Sequence, residues 1–154
     1  MKIKNLILVV LLLLTSCSKK EDISLLERAD KEYQKKNLKT AIELYNNFVQ
    51  KYPQNLKSAE ALFKLSQIYL SELRMPKEAI KFLEQIIQNY PNTKEAMNAL
   101  FMLGFIHANE IHNYEKAKEY YQKFLELYPN SELAVSAKFE LENLGKEQQK
   151  IITK

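Results

Sequence analysis

Ala79-Ile80-Lys81-Phe82-Leu83-Glu84-Gln85-Ile86-Ile87-Gln88-Asn89-Tyr90-Pro91 is the stretch on which the fold of this chain turns. Its apolar residues at 79, 80, 83, 86 and 87 recur at intervals of three and four, which makes one stripe on a helix. Pro91 disfavours helical geometry in the residue before it, so the helix must end near Tyr90. Pro76, at the other end, sits at a first helical position, where its missing N–H costs nothing. Moving outward, the same pattern returns 38 residues earlier and 38 later. Ala41, Ala79 and Ala117 keep that spacing, as do Tyr45, Leu83 and Tyr121, Phe48, Ile86 and Phe124, and the pairs Tyr52-Pro53, Tyr90-Pro91 and Tyr128-Pro129. So many coincidences at one period mark a repeat architecture.

Each unit reads as two helices. The second begins after Asn37, Met75 or Asn113. Asn is expected to cap it by accepting from the free N–H groups of the first turn. A further helix opens at Asn55, Thr93 or Ser131, again capping types, with Glu60, Glu95 and Glu132 nearby to complement the helix dipole. It carries Phe63, Phe101 and Phe139 and Leu65, Leu103 and Leu141 in common register. An opening helix, roughly 23–36, supplies Leu26, Ala29 and Tyr33 and aligns only if its turn is about two residues shorter. In the last copy Lys138, Glu142 and Gly145 replace Leu62, Ser66 and Tyr69, so that helix reads as a solvating cap.

These residues resemble the tetratricopeptide repeat. Leu62, Leu65, Ser66, Tyr69, Ala79, Leu83, Ile86 and Pro91 stand in the places of its pattern, and Leu100, Leu103, Gly104, His107, Ala117, Tyr121, Phe124 and Pro129 repeat them. The unit is 38 residues rather than 34, Ile86 or Phe124 stands where Ala is common, and His107 replaces Tyr. The longer unit with its Tyr-Pro ending resembles the repeats of BamD-like outer-membrane assembly lipoproteins and of the periplasmic CpoB/YbgF proteins. The resemblance implies an all-α right-handed helical solenoid of about three helix pairs with a C-terminal capping helix. It also implies a concave partner-binding face of Glu60, Phe63, Gln67, Leu70, Asn98, Phe101, Phe105 and Asn109. Phe63 and Phe101 recur in register, which leaves them divided between that groove and packing between helices.

The first residues read as an address. Lys2 and Lys4 precede an unbroken apolar run from Leu6 to Leu14, followed by Thr15, Ser16 and Cys17. Charged, apolar and small residues in that order form a secretory signal. Nine residues span only about 14 Å as a helix, against a hydrocarbon core of roughly 30 Å. Leu14-Thr15-Ser16-Cys17 resembles the lipobox of bacterial lipoproteins, which implies lipid on Cys17, the one cysteine of the chain. Two or more acyl chains anchor stably where one does not. Ser18 in place of Asp favours, by the same resemblance, the outer membrane, with the chain facing the periplasm. About seven residues separate Cys17 from the first helix, a reach of about 25 Å.

The expected organisation is therefore a signal peptide 1–16, a lipidated tether 17–22 and a repeat domain 23–145. The repeats are about 23–54, 55–92 and 93–130, the cap is 131–145, and a flexible tail 146–154 follows. Loss of Lys2 and Lys4 with the signal lowers the formal charge from +4 to +2, too little for the basic face that nucleic acid requires. With two glycines in the chain, material for a phosphate-cradling loop is lacking. His107 and His112, five apart, point to different helix faces and suggest no metal site. The expected function is a membrane-anchored interaction scaffold of the cell envelope. It would be BamD-like in outer-membrane protein assembly or, alternatively, a CpoB-like coordinator of cell-wall or Tol-Pal machinery, or a tetratricopeptide lipoprotein of another role. No enzymatic activity, cofactor, metal, nucleic acid or small-molecule substrate is expected. The partners are other envelope proteins or peptides, and the membrane through Cys17.

Overall fold

The computed structural model describes residues 24–146; the signal, the tether with Cys17, and 147–154 lie outside them. Among the described residues the fold is all-α, a succession of helix pairs of tetratricopeptide type with no strand. In chain order the helices are α1 (24–34), α2 (Leu38–Lys51), α3 (Lys57–Gln67, running on into a π-helical turn Ile68–Glu72), α4 (Pro76–Asn89), α5 (Lys94–Asn109), α6 (Tyr114–Leu127) and α7 (Ala134–Asn143). The described residues divide into two compact units within α3, 24–61 and 62–146.

The stripe read from the sequence is the buried face of each second helix. Ala41, Tyr45 and Phe48 are buried in α2, Ala79, Leu83 and Ile86 in α4, and Ala117, Tyr121 and Phe124 in α6. Each of these helices stops at its Tyr-Pro pair with nearly the same backbone. Tyr52, Tyr90 and Tyr128 have φ near −130° and ψ near 50° (−128/54, −134/50 and −132/53). Their N–H groups donate to Phe48, Ile86 and Phe124 at 2.9, 2.8 and 2.8 Å, and their carbonyls accept from Asn55, Thr93 and Ser131. The proline ring excludes helical geometry at the tyrosine, so one local rule makes all three corners.

The turns inside the pairs repeat as well. Lys36, Arg74 and His112, again 38 apart, all adopt left-handed φ of 61°, 55° and 58°. In the second and third pairs the N–H of Met75 reaches back to Tyr69 O, and that of Asn113 to His107 O, both at 2.8 Å. These bonds span one residue more than the return of a Schellman end, in which the N–H reaches the carbonyl five residues back. In the first pair Asn37 N–H returns only five residues, to Glu32 O at 2.9 Å. With Lys36 left-handed before it, this is the Schellman end, and its return is one residue shorter than in the later pairs.

Capping departs from expectation at two places. Thr93 Oγ1 accepts from Ala96 N–H at 3.2 Å and Asn113 Oδ1 from Lys116 N–H at 3.1 Å, as expected. Asn37 does not cap α2. Its amide instead donates to Glu32 at 2.7 Å, a carboxylate also paired with Lys35 at 2.8 Å. Ser131 does not cap α7, which begins three residues later at Ala134 with Leu133 before it. Glu132 consequently lies ahead of that helix rather than in its first turn. A cap is decided by the rotamer left free at the helix start, and residue type alone does not reveal it.

Candidate functional site

In the first unit, α1 buries Leu26 and Ala29, and the Tyr45 hydroxyl donates to Asp30 at 2.5 Å. Burial, then that carboxylate, push the hydroxyl well above its ordinary range. Glu60, the expected groove residue of this unit, is exposed in the first turn of α3.

In the second unit, α5 is buried along most of its length. Ala96, Ala99, Leu100, Leu103, Gly104, Ile106, His107 and Ala108 are all buried. Such a helix packs against neighbours on two sides. One neighbour is α6: Leu100 and Ala108 of α5 cluster with Ala117, Tyr121 and Phe124 of α6 and with Ala137 of α7. Gly104 makes this approach possible: a Cβ there would lie 2.7–2.9 Å from the Tyr121 ring. In the preceding pair Ser66 holds this register and Leu83 that of Tyr121. The smaller first-helix residue is thus matched by the larger second-helix one.

The remaining expected groove residues lie on two helices of this unit. Phe63 and Gln67 on α3, Leu70 in its π-helical turn, and Asn98 and Phe101 on α5 are half-buried. Phe101 is committed to α6, with its ring edge-on to Tyr121 at 5.7 Å and to Phe124 at 5.9 Å. Phe105, one turn on, is half-buried and not part of that cluster. Exposed Asn109 folds its amide onto its own helix, donating to Phe105 O at 3.0 Å. Half-buried rings flanked by amides can accept apolar side chains and satisfy the polar backbone of a bound segment.

His107 is buried, and its ring lies nearly parallel to that of Tyr120, centroids 5.5 Å apart and 13° between planes. Neither ring nitrogen has a hydrogen-bond partner among the described residues. Desolvation, helped by Lys116, lowers its pKa against the opposing pull of Glu84 and Glu119. Tyr120 in turn donates to Glu84 at 3.2 Å, and burial with that carboxylate pushes its hydroxyl up to about 12. His112 is exposed and left-handed. No group of three or more His, Cys, Asp or Glu able to hold a metal occurs among the described residues, and no described helix is long and apolar enough to cross a membrane.

Sequence reasoning missed the exposed pair on α7. Val135 is 77% exposed and Phe139 64%. The signal was present, since Phe139 continues the register of Phe63 and Phe101, but the polar Lys138 and Glu142 beside it drew the helix toward a fully solvated reading.

Paired helices with repeated corners define a tetratricopeptide-like helical protein. Within that class the model of the YfiO family, outer membrane lipoprotein, matches residues 18–148. The chain belongs to this family of outer membrane lipoproteins. No curated protein matches it.

Proposed function

We propose that the chain is a lipid-anchored scaffold on the periplasmic face of the outer membrane, holding envelope proteins during outer-membrane protein assembly in the manner of BamD-like lipoproteins. The observation that carries this reading is the family match over the whole of the helix-pair region. Cys17 lies one residue before the match and is the acylated residue in this reading. The thiolate accepts a thioether-linked lipid, and small Thr15 and Ser16 leave room for the processing enzymes. The partner-binding residues in this reading are Glu60 in the first unit and Phe63, Gln67, Leu70, Asn98, Phe101, Phe105 and Asn109 in the second. Phe105 is its principal apolar contact, because Phe101 is engaged by α6. The chain works by binding and not by catalysis.

Cys17→Ala should abolish acylation and move the protein from the membrane to the soluble fraction; retention on membranes would refute the anchor. Phe105→Ala should weaken crosslinking to a barrel-assembly component in native membranes while helicity and melting temperature hold. Recovery of cell-wall synthesis proteins instead would overturn the assembly role.

A further inference from the structure

The last helix leaves uncovered the face that its predecessor covers. On α5, Met97, Leu100, Phe101 and Gly104 meet α6. Phe101 lies against Tyr121 and Phe124, Met97 and Leu100 belong to the same cluster, and Gly104 faces the Tyr121 ring. Thirty-eight residues on, these places hold Val135, Lys138, Phe139 and Glu142, all exposed. The opposite side of α7 is satisfied, because Ala134 and Ala137 are buried and Leu133, Leu141 and Leu144 pack on the α6 cluster. So α7 is the first helix of a pair with no second helix among the described residues. It keeps an apolar pair, Val135 and Phe139, one turn apart.

We propose that this face docks an amphipathic helix of a partner protein, lying antiparallel to α7 as α6 lies on α5. The repeat itself specifies the occupant. The residue in the place of Phe124 is large and apolar, because Phe139 stands where Phe101 meets Phe124. The residue three positions earlier, in the place of Tyr121, is Arg or Lys, because Glu142 stands where Gly104 meets Tyr121. A second copy of this chain fits less well. A two-fold pairing of α7 that sets Val135 against Phe139 sets Lys138, the one basic residue of α7, against Ser136 and gives Glu142 no basic partner on that helix. This face is separate from the α5 surface bearing Phe105, so failure at one leaves the other standing.

The probe is a labelled peptide of residues 114–127 carrying Tyr121→Arg, stapled through positions 115 and 119, which are exposed in α6, so that it is helical before binding. Anisotropy against the full chain should show binding that Phe139→Ser weakens by about tenfold or more, the loss typical of an aromatic anchor. Glu142→Lys should weaken it too and transfer preference to the Tyr121→Glu peptide. Both variants sit at exposed positions and should keep the parent melting curve. Three outcomes would overturn the proposal. One is absence of binding, or binding indifferent to Phe139→Ser. The second is a sedimenting dimer that Phe139→Ser dissolves, which assigns the face to a second copy. The third is binding seen only after deletion of residues 147–154, which assigns it to the chain's own tail.

Discussion

Gly104 has no side chain because the Tyr121 ring occupies the space one would fill. Tyr121 is fully buried, so the ring has nowhere to retreat. Gly104→Ala should therefore destabilise by about 1–3 kcal/mol, the usual cost of overpacking a tight core. Adding Tyr121→Leu, which copies the Ser66/Leu83 pair, should recover much of that loss, and a double-mutant cycle on chemical denaturation measures the coupling. His107 acts at the same scale through its charge. Its folded-state pKa lies below its ordinary value of 6.5 because burial disfavours the imidazolium. Below pH 6.5 the unfolded chain takes up a proton that the folded chain resists. The stability this histidine contributes is thus complete above 6.5 and lost as pH falls through the folded value. His107→Tyr, the residue its repeat carries at Tyr69, should flatten the fall in melting temperature between pH 7.5 and 5. An unchanged slope would show that other groups govern it.

Among elements, the two ends of a helix are set by different physics. The Tyr-Pro corners follow from a steric rule within two residues, and all three came out alike. The starts depend on a side chain competing among several partners, and they came out different. Thr93 and Asn113 each accept a first-turn N–H, whereas Asn37 turns to Glu32. Thr93→Ala and Asn113→Ala should each cost about 1 kcal/mol, and Asn37→Ala distinctly less, since no cap is lost there. Thermal melts of the three variants side by side decide it. The left-handed residues between helices offer the reverse test. Non-glycine residues pay roughly 1–2 kcal/mol for that backbone, partly offset by glycine's greater unfolded freedom. Arg74→Gly, at φ 55° and exposed, should raise the melting temperature slightly.

For the molecule as a whole, attachment is expected to rest on lipid rather than charge. If the signal is removed as proposed, the remaining formal charge of +2 is too small to hold a protein on an anionic surface once salt screens it. Washing membranes with about 1 M salt, where the screening length is only about 3 Å, should leave the chain in place, and detergent should release it. The repeat, the helix pairs, the corners and the buried stripe were all legible in the sequence, because each shows as a spacing along the chain: adjacent residues at the corners, three and four on a helix face, thirty-eight between copies. Which aromatic of α5 is engaged by α6 was not legible: Phe101 and Phe105 are the same residue type on nearly one face, and only the Tyr121 and Phe124 rings against Phe101 separate them. That α7 ends the stack was legible from Lys138 and Glu142, but the apolar pair left open on it was not. Val135 and Phe139 hold places that are covered in the preceding copy, and they are exposed because no described helix follows to cover them. Periodicity tells a residue which way to point, whereas burial depends on what stands opposite, and that is a property of the packed chain alone.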